Sequence, residues 1–220
     1  MPTDYTPQRP HQGSTPEHIR LSMSVVDQSL REMFPDNYWK RCMYAAFGLQ
    51  LLLKEEGIAS DIVAGDVACF VLYTQDNQPG MDGFKTEKPG VPAHFWVETN
   101  DVLIDLGPYY LPRDTRRPIA SMPLICWPRE VQLPNYLRYR EKARYSPGTK
   151  LQVADDMMER MASFLAHCES RDRTPPSKVE SESWELKGPD SLQAAARKGD
   201  RWACGAKKFD SWVNPSKLPF

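Results

Sequence analysis

Three residue types that together support thiol chemistry follow one another along this chain: a cysteine, a histidine and an aspartate. Cys42 opens a strongly apolar run of helical character, whereas His94 and Asp105 lie in two short runs typical of neighbouring β-strands. A nucleophile on a helix, facing a base and its orienting acid on a sheet, is the layout of a cysteine hydrolase or acyltransferase. The pattern therefore predicts a Cys–His–Asp triad.

Each of these residues also has an ordinary structural interpretation. Cys42 can be a small buried hydrophobic residue of its helix, His94 a cross-strand polar contact, and Asp105 an acceptor for a backbone amide or an arginine. A helix N-terminus and an imidazolium both lower the pKa of a thiol. If Asp36 caps the helix, however, Cys42 lies in the second turn and gains little from the helix dipole. The other three histidines lie in a flexible arm or at helix edges, which leaves His94 as the plausible base.

Composition limits the class of protein without naming a function. The chain has 220 residues, 40% of them hydrophobic, and a net charge of −1. These values predict one principal domain and give no general attraction to nucleic acid or to an anionic membrane. Without a leader-like N-terminus or a long apolar run, we expect a cytoplasmic protein. Five scattered cysteines without a Cys-x-x-Cys pair argue against a disulfide framework or a structural zinc site, and no cofactor or metal is expected.

Helical spacing and polar stretches divide the chain into an arm, a domain and a tail. We expect a flexible N-terminal arm over residues 1–18, a catalytic domain over 19–170 and a loosely attached polar tail over 171–220. Apolar periodicity predicts helices over 19–33, 42–56 and 151–168. Within the tail, a short Ala-rich helix is expected near 192–197. The aromatic side chains of Trp184, Trp202, Phe209 and Trp212 would give the tail a means of clamping onto the domain surface.

Between the helical segments the pattern becomes extended. A central strand is expected over 62–72, two paired strands over 93–99 and 102–106, and a further short strand within 118–131. The polar, glycine-rich stretch 74–91 predicts a long exposed loop. Alternation along the first of the paired strands places His94, Trp96 and Glu98 on one face.

Taken together, the run from Cys42 to Leu53, the segment 55–65 and the motifs at 94–98 and 104–106 resemble the transglutaminase-like superfamily. The resemblance spans residues 37–110, about one third of the chain. It implies an α+β, papain-like core in which N-terminal helices, including the cysteine helix, pack on an antiparallel β-sheet, with an additional C-terminal helix.

By the same resemblance, Cys42 is the nucleophile, His94 the general base and acid, and Asp105 the orienting carboxylate. The chain departs from the family where Lys40-Arg41 replaces the Gly or Trp common before the cysteine. It departs again at Phe95, which replaces the small residue usual after the histidine.

Around this triad the sequence leaves the oxyanion donor open. The backbone N–H of Cys42 is one candidate, and the side chain of Asn37 or the indole of Trp39 is the other. Candidates for a substrate groove are the aromatic residues near the expected active-site edge, namely Trp96, Tyr109 and Tyr110.

Three functions are compatible with these residues. The first is a thiol enzyme, such as a peptidase, deamidase, transglutaminase or acyltransferase, that acts on a peptide, protein or small acyl or amide substrate through an acyl-thiol intermediate. The second is an idle papain-like scaffold that serves as a protein-interaction module. The third, a metal-binding protein, ranks last because one thiolate, one imidazole and one carboxylate form a poor ligand set.

Overall fold

The protein is a mixed α+β structure built on one large sheet. The computed structural model describes residues 15–88, 90–149, 155–173, 183–214 and 218–220. Within these residues seven strands are formed: β1 Ser60–Leu72, β2 Pro79–Phe84, β3 His94–Thr99, β4 Val102–Asp105, β5 Leu124–Pro128, β6 Leu137–Tyr145 and β7 Glu185–Leu186. The same residues form seven α-helices: α1 Glu17–Met33, α2 Cys42–Glu55, α3 Gly107–Tyr110, α4 Asp155–Asp172, α5 Pro189–Arg197, α6 Arg201–Ala206 and α7 Phe209–Trp212. Short 3-10 turns cover Tyr38–Lys40 and Leu111–Arg113.

Strand β1 is the centre of the sheet and has neighbours on both sides. The sheet order is β2-β1-β3-β4-β5-β7, and β6 also pairs with β1. The first half of β1 pairs with β3, with Gly65 opposite His94, and the second half pairs with β2, with Val67 opposite Phe84. The end of β2 and the start of β3 therefore meet beside β1. The described pairings are antiparallel except that between β5 and β7.

Two apolar layers enclose the sheet. On one face, α1, α2 and α4 bury residues such as Val26, Leu49 and Phe164. The other face is covered by residues from the C-terminal part of the chain, including Trp202 and Phe209. Because both faces of β1 are buried, its sequence is apolar almost throughout instead of alternating.

Several predicted elements are confirmed. Helix α1 covers the predicted 19–33 segment, α2 the cysteine helix and α4 the predicted C-terminal helix, of which residues 151–154 lie outside the described part. The turn between β3 and β4 and the strand within 118–131 are also present. Strand β6 was not expected, because its charged, partly exposed sequence has little apolar alternation.

The prediction of a long exposed loop over 74–91 is wrong in its middle part, where β2 pairs with β1. The glycines of this stretch favoured the loop prediction, but in the structure they allow close packing against neighbouring residues. A Cβ atom at Gly83 would lie 2.2 Å from the carbonyl oxygen of Val67, and one at Gly80 would lie 2.8 Å from the ring of Tyr73. Small residues therefore allow this strand to pair, although the same residues weaken the strand signal.

The prediction of a loosely attached tail over 171–220 is wrong for residues 183–214. Strand β7 extends the sheet, and Trp202 and Phe209 are each 1% exposed. The indole of Trp202 donates a hydrogen bond of 2.8 Å to the carbonyl oxygen of Phe70 in β1. A few aromatic side chains anchor this segment despite its polar composition, because each buries a large area.

The expected N-terminal arm falls mostly outside the described residues, which begin at Thr15. Thr15 is buried and α1 already begins at Glu17, so the end of the predicted arm is packed. No helix in the described ranges is both long and apolar enough to cross a membrane.

Candidate active site

Cys42 is the first residue of α2, with Arg41 in the N-cap position. A helix therefore does not begin at Asp36, and Cys42 lies in the first turn, where backbone N–H groups have no acceptor within the helix. The positive end of the helix dipole favours an anion at this position. The thiol is partly exposed. Cys42 thus has one of the two features that favour a thiolate, together with access for a reactant.

The residues just before Cys42 fix the start of the helix. The Nε atom of Arg41 donates a hydrogen bond of 2.9 Å to Oδ1 of Asn37. The guanidinium of Arg41 also lies 4.8 Å from the centre of the Phe34 ring and 5.7 Å from that of Tyr44. These contacts tie the 3-10 turn to α1 and α2. Arg41, next to Cys42, therefore helps to hold the start of the helix in place.

His94 and Asp105 form a buried pair at the adjoining ends of β3 and β4. The Nε2 atom of His94 lies 2.8 Å from Oδ1 and 3.0 Å from Oδ2 of Asp105. Asp105 accepts two more hydrogen bonds, from the Tyr139 hydroxyl at 2.9 Å and from the Gly107 N–H at 2.7 Å. This set of donors compensates for the loss of water around the carboxylate, which is 2% exposed.

Gly107 is required by the tight contact around this pair. A Cβ atom at position 107 would lie 2.2 Å from Cε1 of His94 and 3.1 Å from Oδ1 of Asp105. Real carbon atoms do not approach so closely, so any side chain here would displace the imidazole. Gly107 therefore lets α3 begin directly against the histidine.

The imidazole of His94 is fully buried, and aromatic rings enclose it. The Phe84 ring stacks on it with centroids 4.4 Å apart and an angle of 12° between the planes. The Nδ1 atom has no hydrogen-bond partner of standard geometry among the described residues. Because Nε2 is held by Asp105, Nδ1 is the ring nitrogen that remains for Cys42.

The charges around His94 favour its protonated form. Burial acts to lower its pKa, but the charges of Asp105 and Cys42, and hydrogen bonding to both, outweigh burial and raise the pKa to about 10. Cys42 is therefore near enough to interact electrostatically with the imidazole. The structure thus brings the three predicted residues together as an electrostatic unit.

The three candidate donors for the oxyanion differ in the hydrogen bonds that they already form. Trp39 Nε1 is buried and has no acceptor in the described part of the chain. Asn37 accepts a hydrogen bond from Arg41 through Oδ1, which holds its side chain at the helix start and does not use its Nδ2 donor. The backbone N–H of Cys42 belongs to the unpaired set of the first helical turn. Trp39 is therefore the side-chain candidate whose buried donor lacks an acceptor among the described residues, and the Cys42 amide is the main-chain candidate.

Two of the three predicted groove residues do not lie in an open groove. Trp96 is 2% exposed and its indole donates to Glu98 at 3.0 Å, while Tyr110 is 3% exposed and its hydroxyl donates to Asp27 at 2.6 Å. Both belong to the core, and the groove prediction is corrected for them. Tyr109 is half-buried and accepts a hydrogen bond from Arg31.

Sequence reasoning missed Tyr139, Gly107 and the buried Asp66. Lys142 donates to Asp66 at 2.8 Å and to the carbonyl oxygen of Val91 at 2.9 Å, and Arg140 also bonds Asp66. This cluster fixes the segment that leads into His94. The one usable signal was Asp66, a lone carboxylate within an apolar strand.

No protein-family model, curated protein or solved structure matches this chain. Among the residues with a described position, no group of three His, Cys, Asp or Glu side chains is arranged to hold a metal ion.

Proposed function

We propose that this chain is a thiol-dependent hydrolase or acyltransferase that acts on an amide or acyl bond of a peptide, protein or small molecule. It uses Cys42, His94 and Asp105 on a papain-like core of the transglutaminase-like kind. The observation that supports this most strongly is the contact of the His94 imidazole with both Asp105 and Cys42. One of its nitrogens is hydrogen-bonded to Asp105, and its pKa is raised in part by Cys42.

In the first half of the reaction, the Cys42 thiolate attacks the carbonyl carbon of the substrate. The carbonyl oxygen becomes an oxyanion that accepts hydrogen bonds from the Cys42 amide and the Trp39 indole. His94 then gives its Nδ1 proton to the leaving amine or alcohol, and the bond to that group breaks. The products of this half are an acyl-thioester on Cys42 and a neutral imidazole.

In the second half, the acyl group leaves Cys42. His94 removes a proton from water or from an acceptor amine, which attacks the thioester carbonyl. Collapse of the tetrahedral adduct releases the acid or the new amide and restores the thiolate and the imidazolium. Asp105 holds Nε2–H throughout, so that Nδ1 keeps facing the thiol.

The experiment that tests this function is the pH dependence of alkylation by iodoacetamide, followed at each cysteine by peptide mass spectrometry. Cys204 is exposed, which makes it an internal reference in the same sample. We expect Cys42 to react well below the pKa of a free thiol, about 8.5, and to lose this advantage in His94→Ala. Acyl transfer to Cys42 from activated esters then identifies the reactive carbonyl class.

An idle interaction module is the second candidate, and the complete burial of His94 beneath Phe84 favours it. An idle scaffold needs no charged imidazole beside the thiol. If Cys42 and Cys204 show the same pH profile in the folded protein, this second function replaces the first.

A further inference from the structure

The last described residues of the chain, Leu218–Phe220, lie against strand β6. Arg138 holds the main chain of this segment: its Nε atom donates to the carbonyl oxygen of Pro219 at 3.0 Å and to that of Phe220 at 2.7 Å, and its Nη2 atom also donates to the latter. Arg140 places its guanidinium 4.5 Å from the centre of the Phe220 ring. Two arginines on one strand thus engage one aromatic residue.

These contacts have the chemistry of peptide recognition. A guanidinium that donates to main-chain oxygens fixes the direction of a peptide, and a cation over a ring selects an aromatic side chain. In the described part of the chain, the hydrogen bonds of Arg138 all go to this segment. Within the described ranges, Arg138 therefore bonds the segment and forms no ion pair with a carboxylate.

The segment does not fill the cleft in which it lies. A cavity of about 270 Å³ remains beside Phe220. It is lined by apolar residues and by β6, namely Leu133, Pro134, Leu137, Arg138, Tyr139 and Arg140. Residues 218–220 are themselves only half-buried, and Leu218 alone packs against the apolar core. The cleft thus has room for more ligand than the segment supplies, and the segment is held mainly by side chains at the surface.

We propose that this cleft on β6 binds peptides with a Pro-aromatic sequence, and that Leu218–Phe220 occupies it as a displaceable internal ligand. Tyr139 stands between the two arginines in sequence, and its hydroxyl bonds Asp105. The cleft is therefore directly linked to the His94–Asp105 pair. Peptide binding itself does not depend on the proposed enzyme activity.

The test is direct binding of a fluorescent peptide, acetyl-Lys-Leu-Pro-Phe, measured by anisotropy. The full chain is compared with the full chain carrying Phe220→Ala, in which the internal ligand loses its ring contact with Arg140. We expect the Phe220→Ala chain to bind the peptide roughly fivefold more tightly or better, the range of one lost cation–π contact. The peptide acetyl-Lys-Leu-Pro-Ala is expected to bind weakly to both.

Two further variants test whether the peptide binds at Arg138 in the β6 cleft. In the Phe220→Ala background, Arg138→Gln is expected to lower peptide affinity at least about tenfold, because the main-chain oxygens lose a charged donor. Arg160→Gln, on the exposed side of α4, is the matched control for loss of one arginine and is expected to leave binding unchanged.

The proposal is overturned if folded Phe220→Ala protein, checked by circular dichroism, binds the peptide no better than the full chain. It is equally overturned if Arg138→Gln has no effect. Should Phe220→Ala fail to fold, the segment is structural and not a displaceable ligand, which also overturns the proposal. An inactive Cys42 with normal peptide binding would refute only the enzyme function.

Discussion

Replacing Asp105 with asparagine tests the electrostatic interaction among Cys42, His94 and Asp105. Asp105 bonds the buried Nε2 of His94 through both oxygens and helps to raise the imidazole pKa. A hydrogen bond to a charged group contributes about 1.5–3 kcal/mol, and one pKa unit corresponds to about 1.4 kcal/mol. Asp105→Asn should therefore lower the pKa of His94 by roughly one to two units. The ratio of the thiolate–imidazolium form to the neutral thiol–imidazole form then falls roughly 10- to 100-fold.

The assay is the pH–rate profile of Cys42 alkylation, combined with NMR titration of the His94 ring. We expect the Asp105→Asn rate at pH 6.5 to fall by up to that factor and the rise in rate to move toward the free-thiol region near pH 8.5. The rate near pH 10 should be retained. Asp101→Asn, in the exposed β3–β4 turn, is the matched control. A folded Asp105→Asn protein with an unchanged rate at pH 6.5 and an unchanged His94 titration would refute the reasoning.

Three other substitutions probe the packing around the site. Gly107→Ala should displace His94 and abolish the low-pH reactivity of Cys42. It should also lower the free energy of unfolding, measured by urea titration, by about 1–3 kcal/mol. An unchanged His94 NMR spectrum would contradict the close contact. Tyr139→Phe should lower the free energy of unfolding by about 1 kcal/mol and shift the pH profile of Cys42 alkylation less than Asp105→Asn does. A larger shift would mean that Tyr139 does more than position Asp105. Trp202→Ala should lower the free energy of unfolding by about 3–5 kcal/mol. A decrease of less than about 1 kcal/mol would show that the C-terminal segment is not an integral part of the core.

The residues with the clearest local signals were predicted well. The presence of the cysteine helix, the β3–β4 turn and the paired strands that carry His94 and Asp105 follow from apolar periodicity and turn chemistry. The residue at which the cysteine helix begins was left open by the sequence and is set in the structure at Cys42. These features depend on near neighbours in the chain. The approach of Cys42 to the histidine was predicted only from the order of residue types and from a family resemblance. In the structure, Nε2 of His94 bonds Asp105 and Cys42 contributes to the raised pKa of His94. The action of the three residues as a catalytic triad stays a prediction.

The errors have a common physical cause, which is contact between residues far apart in sequence. Strand β2 contains glycines that locally favour a loop, but they are needed for close approach to β1. The polar C-terminal segment is anchored by a few aromatic contacts, such as Trp202 with Phe70. Trp96 was predicted to line a substrate groove, yet it is buried in the same apolar cluster as the C-terminal segment.

By itself, the sequence determined the four longest described helices, four of the seven described strands, the order of Cys42, His94 and Asp105, and the alternation along the strand that carries His94. These properties depend on backbone geometry and on side chains a few positions apart. Only the tertiary structure decided that Tyr139 and Gly107 complete the shell of Asp105, and that burial and two charges together set the protonation of His94. A pKa depends on every charge and every loss of water nearby, and those are fixed only when distant segments pack.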